Sequence, residues 1–476
     1  MDFSGAYKLT IGGALADTSA RLPVVNPATG QVFAQAPNAG PAELEAAVGA
    51  ARAAFPGWKA TPLPERQKAL KSVVKRLAEN ADALAALFTA EQGRPLPAAK
   101  EEILGAAYWF SQISKQGLKV EITEDTPERR VEVHHEPLGV VAALVPWNFP
   151  VLLAAWKIAP ALLTGNTIVV KPSPFTPLTT LKIGELIGDC FPPGVFNVIS
   201  GDDALGPLMT SHPGFAKISF TGSTATGKRV MAAAAAGLKR ITLELGGNDA
   251  AIVLPDVDVD AVAPKLFHGA FYNSAQVCVA TKRMYVHEDI YDALRARLHA
   301  LALAAKVGDG AEQGTAFGPI QNKPQYERVQ AMLAQARAQG LTLLQGAPVP
   351  DGGYFIPLTL VDNPPEESDV VREEAFGPIL PLLKYSDLDE VIARANDSEY
   401  GLAGAVWARD VDAAVRVAHR LETGTVWINQ NLQNTPVTPL AGHKQSGYGA
   451  ENGHEGLLGF TQSKAVYVPK SAESVA

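Results

Sequence analysis

From Leu138 onward, short unbroken apolar runs alternate with longer stretches of helical spacing, and this alternation restricts the fold more than any other feature. "LGVVAALV", "NTIVVK", "VFNVIS", "AKISFTG" and "ITLELGG" read as strands. Between them "VLLAAWKIAPALL", "PLTTLKIGELIGDC" and "GKRVMAAAAAG" read as helices, the last ending at Gly237. Continuous Val/Ile/Leu runs suit strands buried on both faces, as in a parallel sheet covered by helices. Right-handed crossovers make such a sheet doubly wound. A second series begins with "AAIVL", a helix opening near Asp258, and the strand "KRMYVHE". The helices "DALRARLHALALAAK" and "PQYERVQAMLAQARAQG" come next, then the strands "LTLLQG", "LPLLKY", "LAGAVWA" and "GTVWIN". The expected fold class is α/β, with two doubly wound parallel-sheet domains that change over near residues 245–250.

The flanking segments differ. Up to about residue 117 the chain reads as mostly helical, over 41–56, 64–92 and 97–117. "LKVEITEDTPERRVEVHHEP" alternates Val/Ile with charge on both sides of "EDTPER", as a protruding hairpin does. Open strand edges tend to pair, and the C-terminal "AVYVP" is a candidate partner. Both are read as a small β element that joins copies of the chain; a merely decorative hairpin is the alternative.

Composition excludes several classes. With 41 Lys and Arg against 49 Asp and Glu, a net charge of -8 and no basic cluster, nothing points to nucleic acid. "MDFSGAYKLTIGGAL" lacks the basic and apolar regions of a secretory signal. The greasiest run is interrupted by Lys157, Pro160 and Gly165, so no membrane span is expected. Two cysteines, Cys190 and Cys278, build no disulfide framework. A cytoplasmic setting is the simplest. No Cys/His spacing suggests a metal.

Four stretches could carry chemistry. "FTGSTATGKR" follows a strand and opens a helix, where backbone N–H groups can face a pyrophosphate. Its spacing falls one residue short of a phosphate loop, and Arg229 stands where that loop needs Ser or Thr. In "LELGGND", Glu244 sits in an apolar strand; it is either a salt-bridged residue or a base whose pKa burial raises. In "VPWNFP", Asn148 reads locally as a cap for the helix starting near Val151, although ligands also bind at such strand ends. Cys278 lies among apolar neighbours that suit a quiet thiol, yet Asn273, Ser274 and Gln276 are unusual company for a core segment.

Together these stretches are more specific. "VPWNFP", "VVKPS", "FTGSTATG", "LELGGN", "FYNSAQVC", "EEAFGPIL", "GTVWIN" and "AGHKQSGYG" occur in one order. The chain resembles the aldehyde dehydrogenase superfamily over nearly its whole length, in its hydrolytic, non-acylating form. That resemblance implies NAD(P)-dependent oxidation of an aldehyde to a carboxylic acid. By the same resemblance, Cys278 matches the nucleophile, Asn148 with the Cys278 N–H the oxyanion donors, and Glu244 the deacylating base. Pro146, Trp147 and Leu245 match the nicotinamide site, and Lys171 the adenosine ribose site. Phe220, Gly222 and Ser223 match the pyrophosphate wall, and Glu374 and Phe376 the nicotinamide-ribose clamp. Glu451 matches a second carboxylate on a proton path. Phe149, Leu153, Trp156, Val277, Val279 and Leu432 should face the aldehyde. None is cationic, which implies a neutral, mainly apolar substrate, aliphatic or aromatic; the amides of Gln430, Asn431, Gln433 and Asn434 leave polar neutral aldehydes open.

The resemblance assigns 1–118 and 138–246 to a Rossmann-like cofactor domain and 247–440 to a catalytic domain. Residues 119–137 and 456–476 form the oligomerisation element of a homodimer or homotetramer. The sequence departs from the family pattern at two places. Pro174 replaces a frequent Glu, which favours NAD less firmly and keeps NADP open. Ala275 replaces the Gly before "Q-x-C". Competing readings are a coenzyme A-acylating enzyme, a catalytically silent relative and a phosphate-loop nucleotide hydrolase. Glu244, Cys278 and Arg229 respectively oppose them.

Overall fold

The computed structural model describes residue 3 and residues 5–470. Its first sheet is built on the strands Phe196–Val198, Thr167–Lys171, Val140–Leu144, Lys217–Thr221 and Arg240–Glu244, adjacent in that order and parallel. Val140–Leu144, Thr167–Lys171 and Lys217–Thr221 are buried at every position, as their continuous apolar character requires. Chain order reverses between Val140–Leu144 and Lys217–Thr221. Such a switch opens a crevice beyond the carboxyl ends of the strands. The loops carrying Trp147 and Gly222 leave the sheet there.

Short antiparallel strands close both edges. Leu9–Ile11 pairs with Ala14–Ala16 and with Phe196–Val198; Gly447–Tyr448 pairs with Arg240–Glu244. The helical reading of the N-terminal region holds from Pro41 to Ile113 but missed the strands before it. Leu9–Ile11, Ala14–Ala16, Arg21–Asn26 and Gln31–Pro37 are all strands. The first two are three residues each, too short for alternation to register. The stretch expected as one helix over 64–92 is two, Leu63–Glu79 and Ala81–Gln92. They part at Asn80, whose Nδ2 donates to the Arg76 carbonyl at 2.8 Å.

The next strand after Glu244, Ala250–Val253, belongs to the second sheet. That sheet runs Leu343–Gln345, Thr359–Asp362, Ile379–Tyr385, Arg283–His287, Ala250–Val253, Ala403–Trp407 and Thr425–Ile428. All neighbours are parallel except the first pair. Thr359–Asp362 was not legible as a strand: it has four residues and follows Pro357. Two apolar clusters lie against this sheet, and a larger one fills the first sheet and the helices packed on it.

Glu121–Asp125, Arg129–Pro137 and Thr461–Pro469 form a separate three-stranded sheet. The terminal strand pairs with the hairpin over its full length, from Thr461↔Pro137 to Pro469↔Arg129. It is therefore longer than "AVYVP". Residues 471–476 of the expected oligomerisation stretch lie outside the described residues, as do 1, 2 and 4 of the expected cofactor domain.

Candidate active site

The segment that presents Cys278 is backbone under strain. The helix Val259–Phe271, capped by Asp258, ends just before it. Asn273, Ser274 and Ala275 then take φ of 53°, 53° and 62°. Left-handed conformations cost non-glycine residues about 1–3 kcal/mol each and persist only where surroundings impose them. The polar residues singled out in the sequence do the imposing. Asn273 Oδ1 accepts from Gln92 Nε2 and Arg94 Nε, both at 3.2 Å. Asn273 Nδ2 donates to the Asn148 carbonyl at 3.2 Å. Ser274 Oγ donates to the Gly318 carbonyl at 2.7 Å, and Gln276 Nε2 donates to the Asn273 carbonyl at 3.0 Å. Lys282 Nζ donates to the Cys278 carbonyl.

Asn148 does not cap the helix Pro150–Leu163. That helix receives its acceptor from elsewhere: Glu102 Oε1 accepts from the amides of Val151 and Leu152 at 3.0 and 3.1 Å. Glu102 Oε2 in turn meets Arg94 Nη1 at 2.5 Å, and Arg94 Nη2 donates to the Asn148 carbonyl at 2.7 Å. Asn148 is 4% exposed. Its Nδ2 donates to the Gln276 carbonyl at 3.0 Å, which points the amide toward the Cys278 segment.

Glu244 ends its strand between Thr221 on one side and Gly447 on the other. It is 3% exposed, and neither carboxyl oxygen has a hydrogen-bond partner among the described residues. The salt-bridged alternative therefore fails. Burial pushes its pKa up to about 8; the nearby Cys278 thiol, outside ordinary hydrogen-bond geometry, pulls the other way. The thiol itself is held well above its usual range, first by burial and then by the Glu244 charge, against a downward pull from Lys282.

The two glycines after Glu244 permit a close approach. A Cβ on Gly246 would stand 2.4 Å from Glu374 Oε2, and one on Gly247 would stand 3.0 Å from the Cys278 carbonyl oxygen. The Gly247 amide donates to Glu374 Oε1 at 3.1 Å. Strand end, nucleophile segment and Glu374 thus converge because no side chain separates them.

They converge on one cleft of about 160 Å³, lined by Asn148, Glu244 and Cys278 together. Pro146, Trp147 and Leu245 line it too, as do Gly222 and Ser223. Glu374 and Phe376 complete the wall, with the Trp147 and Phe376 rings edge to face at 5.4 Å. Phe220 lies behind the wall, its ring where a Cβ on Gly222 would go. Lys171 is outside the cleft, at the end of its own strand. Ser223 Oγ caps the helix Thr224–Ala235, whereas Lys228 and Arg229 are exposed.

None of the expected aldehyde-facing residues lines this cleft: Leu153, Trp156, Val277 and Val279 are buried in one apolar cluster. Phe149, Leu432 and Cys278 pack against it. Glu451, also buried, accepts from Lys157 Nζ at 2.6 Å and Ser219 Oγ at 3.2 Å.

Sequence reasoning missed Thr221, Gly246, Gln325 and Arg328 in the cleft wall. The first two lie within the quoted stretches "FTGSTATG" and "LELGGN" but were given no role there. Gln325 and Arg328 sit on the helix Lys323–Ala338 and carry no local signal. They hold the clamp loop: Gln325 Nε2 donates to the Ala375 and Phe376 carbonyls at 2.9 and 3.0 Å, and Arg328 Nη2 to the Glu374 carbonyl at 3.0 Å.

Comparison with known proteins adds an independent finding. The model described as "Aldehyde dehydrogenase family" matches residues 15–466. The FUS7 protein of Gibberella fujikuroi is 46% identical over 447 residues, 94% of this chain and 95% of its own. Aldehyde dehydrogenase LUC3 of Fusarium is 41% identical over 473 residues, 99% of this chain and all of its own (100%). The NAD+ complex of an aldehyde dehydrogenase from Bacillus cereus superposes with a TM-score of 0.96 at 34% identity, covering 98% of both chains.

Proposed function

The chain belongs to the aldehyde dehydrogenase family, and we propose that it oxidises a neutral, mainly apolar aldehyde to the free acid with NAD, using Cys278, Glu244 and Asn148. The observation that carries this reading is the meeting of those three side chains in one cleft.

The cofactor assignment rests on fit. Gly246 and Gly222 leave space that a side chain would fill, and Glu374 is fixed by Lys282 at 3.5 Å and by the Gly247 amide. Trp147, Leu245 and Phe376 offer apolar surface to a nicotinamide; Glu374 would hold its ribose and Lys171 the adenosine ribose. A bound nicotinamide would supply the hydride acceptor that the conversion of a thiohemiacetal on Cys278 to a thioester requires.

The chain does the rest. The Cys278 sulfur, once deprotonated, adds to the aldehyde carbon. The free N–H of the Asn148 amide and the Cys278 backbone N–H hold the oxygen as it becomes negative. Glu244 then takes a proton from the water that attacks the thioester, releasing the acid and the thiol. A base near pKa 8 is useful only if its proton can leave. The Lys157–Glu451 pair, whose charges act on Glu244, offers that exit.

Phe149 and Leu432, partly buried against the same apolar cluster that Cys278 meets, support an apolar substrate. Arg94 is a cation close to this surface, its guanidinium 4.1 Å from the Phe149 ring centroid. Each of its three nitrogens already donates, to Asn273, Glu102 and Asn148, and the side chain is buried, so it is held as a structural cation and not as an anchor for a substrate carboxylate.

The same reading makes 1–118 with 138–246 the cofactor unit and 247–440 the catalytic unit. The three-stranded sheet is the contact between copies in a dimer or tetramer. Among the described residues no helix is long and apolar enough to cross a membrane, and a reducing cytoplasm suits a thiol nucleophile. The test is a panel of neutral aldehydes of graded chain length and aromatic type, with NAD and with NADP. Free acid formed without coenzyme A is expected, with kcat/KM falling for semialdehydes bearing a carboxylate. A preference for such semialdehydes, or a requirement for coenzyme A, overturns the reading.

A further inference from the structure

Lys171 is 6% exposed, yet its ammonium is poorly satisfied. Its one hydrogen bond is a long 3.4 Å contact to the neighbouring Pro172 carbonyl, and it forms no ion pair with any described residue. Burial pulls its pKa down to about 8, and the charges of Asp203 and then Asp202 oppose that pull. A buried cation without a proper acceptor is costly unless something binds there.

Topology brings the acids to it. Thr167–Lys171 and Phe196–Val198 are parallel neighbours, with Val170 opposite Val198. Lys171 and the Gly201–Asp203 turn therefore leave the sheet at the same end. The turn is pinned: Asn38 Nδ2 donates to Asp202 Oδ2 at 3.1 Å, the Asp202 amide donates to Asn38 Oδ1 at 3.0 Å, and the Ala204 amide donates to Asp202 Oδ1 at 2.9 Å. Asp202 thus has both oxygens committed. Asp203 is exposed and has no hydrogen-bond or ion-pair partner among the described residues. One charged acceptor, on a fixed turn, and one charged donor stand at the same end of the sheet and are not joined to each other.

We propose that Asp203 sets the cofactor preference of this chain, accepting from the adenosine ribose opposite Lys171 and rejecting a 2′-phosphate. The proposal rests on the dinucleotide reading above. A ribose diol needs a donor and an acceptor, which Lys171 and Asp203 supply. A 2′-phosphate removes the hydroxyl donor and brings a dianion beside a fixed carboxylate. Lys171 alone would welcome that dianion; with Asp202 and Asp203 beside it the local charge is negative. Pro174 adds no acceptor of its own.

The experiment is calorimetric binding to the full chain, with four probes: NAD, NADP, AMP and adenosine 2′,5′-bisphosphate. Wild type should bind NAD and AMP at least ~10-fold more tightly than their 2′-phosphorylated counterparts, the scale of one or two unit charges at partly solvated range. Asp203→Asn should tighten NADP and the bisphosphate by about tenfold and weaken NAD and AMP by less than about fivefold. A wild type that prefers NADP, or an Asp203→Asn variant with an unchanged NADP-to-NAD ratio, overturns the proposal. A wild type that binds neither dinucleotide overturns the earlier reading as well, so the two failures are told apart.

Discussion

Around Glu102, a carboxylate 4% exposed is met by Arg94 and by the amides of Val151 and Leu152; around Glu244, one 3% exposed meets no hydrogen-bond donor. Burial is the same and raises both carboxyls, but the partners differ: Arg94 and two backbone amides oppose it at Glu102. The first carboxylate is spent on structure: it caps a helix and holds the arginine that fixes Asn148 and Asn273. The second keeps a high proton affinity, because burial outweighs the pull of the Cys278 thiol and the Lys157 charge. Desolvation without a partner is costly for a fold and useful for a base.

That contrast can be attacked from either side. The largest effect expected is on turnover. Cys278→Ser should lower kcat on the order of 10⁴-fold or more, while NAD affinity and Tm stay close to wild type. Retained turnover would remove the nucleophile from the account. On the structural side, Glu102→Ala leaves Arg94 as a buried cation without its partner and should cost about 3–5 kcal/mol in denaturant unfolding. A loss below about 1 kcal/mol would mean that its partners do not matter as argued.

A smaller effect tests the desolvation of Glu244 by pH. The folded pKa of Glu244 is raised to about 8 from the ordinary 4.5, so folding favours its protonated form. Its presence should therefore cost the fold progressively more as pH rises from about 4.5 through about 8. Glu244→Gln should raise Tm relative to wild type at pH 9, by the equivalent of roughly 2 kcal/mol, and little at pH 5. Base-dependent turnover of wild type should rise through about pH 8 for the same reason. Equal Tm differences at both pH values would show that Glu244 is not desolvated as described.

The smallest effect concerns the strained segment. Ala275 sits at φ 62°, where glycine is unstrained. Ala275→Gly should raise stability by about 1 kcal/mol, less the extra freedom of the unfolded chain. A clear loss of stability would mean that its methyl packing outweighs the strain.

Much of this arrangement was legible in the sequence, because it depends on local pattern. Val140–Leu144 and Lys217–Thr221 are unbroken apolar runs, and period alone marks them. Glu244 and Cys278 stood out as polar or reactive residues in apolar surroundings. What escaped has a physical reason. Leu9–Ile11 is a strand by virtue of its neighbour Phe196–Val198, far away in sequence. Asn148 looked like a cap because Glu102, which takes that role, comes from another helix. Arg94 and Gln325 act through carbonyls that only the fold brings to them, and no local spacing announces such contacts.

The central claim is that Cys278 forms the covalent bond and Glu244 frees it. Mixing Glu244→Gln with NAD and a reactive neutral aldehyde tests it directly, with NADH followed by absorbance and the protein by intact mass. The account predicts one burst of NADH per active site, then slow turnover, with the chain heavier by the acyl group and the added mass mapping to Cys278. Linear NADH formation at the wild-type rate, with no acyl adduct on Cys278, would contradict it.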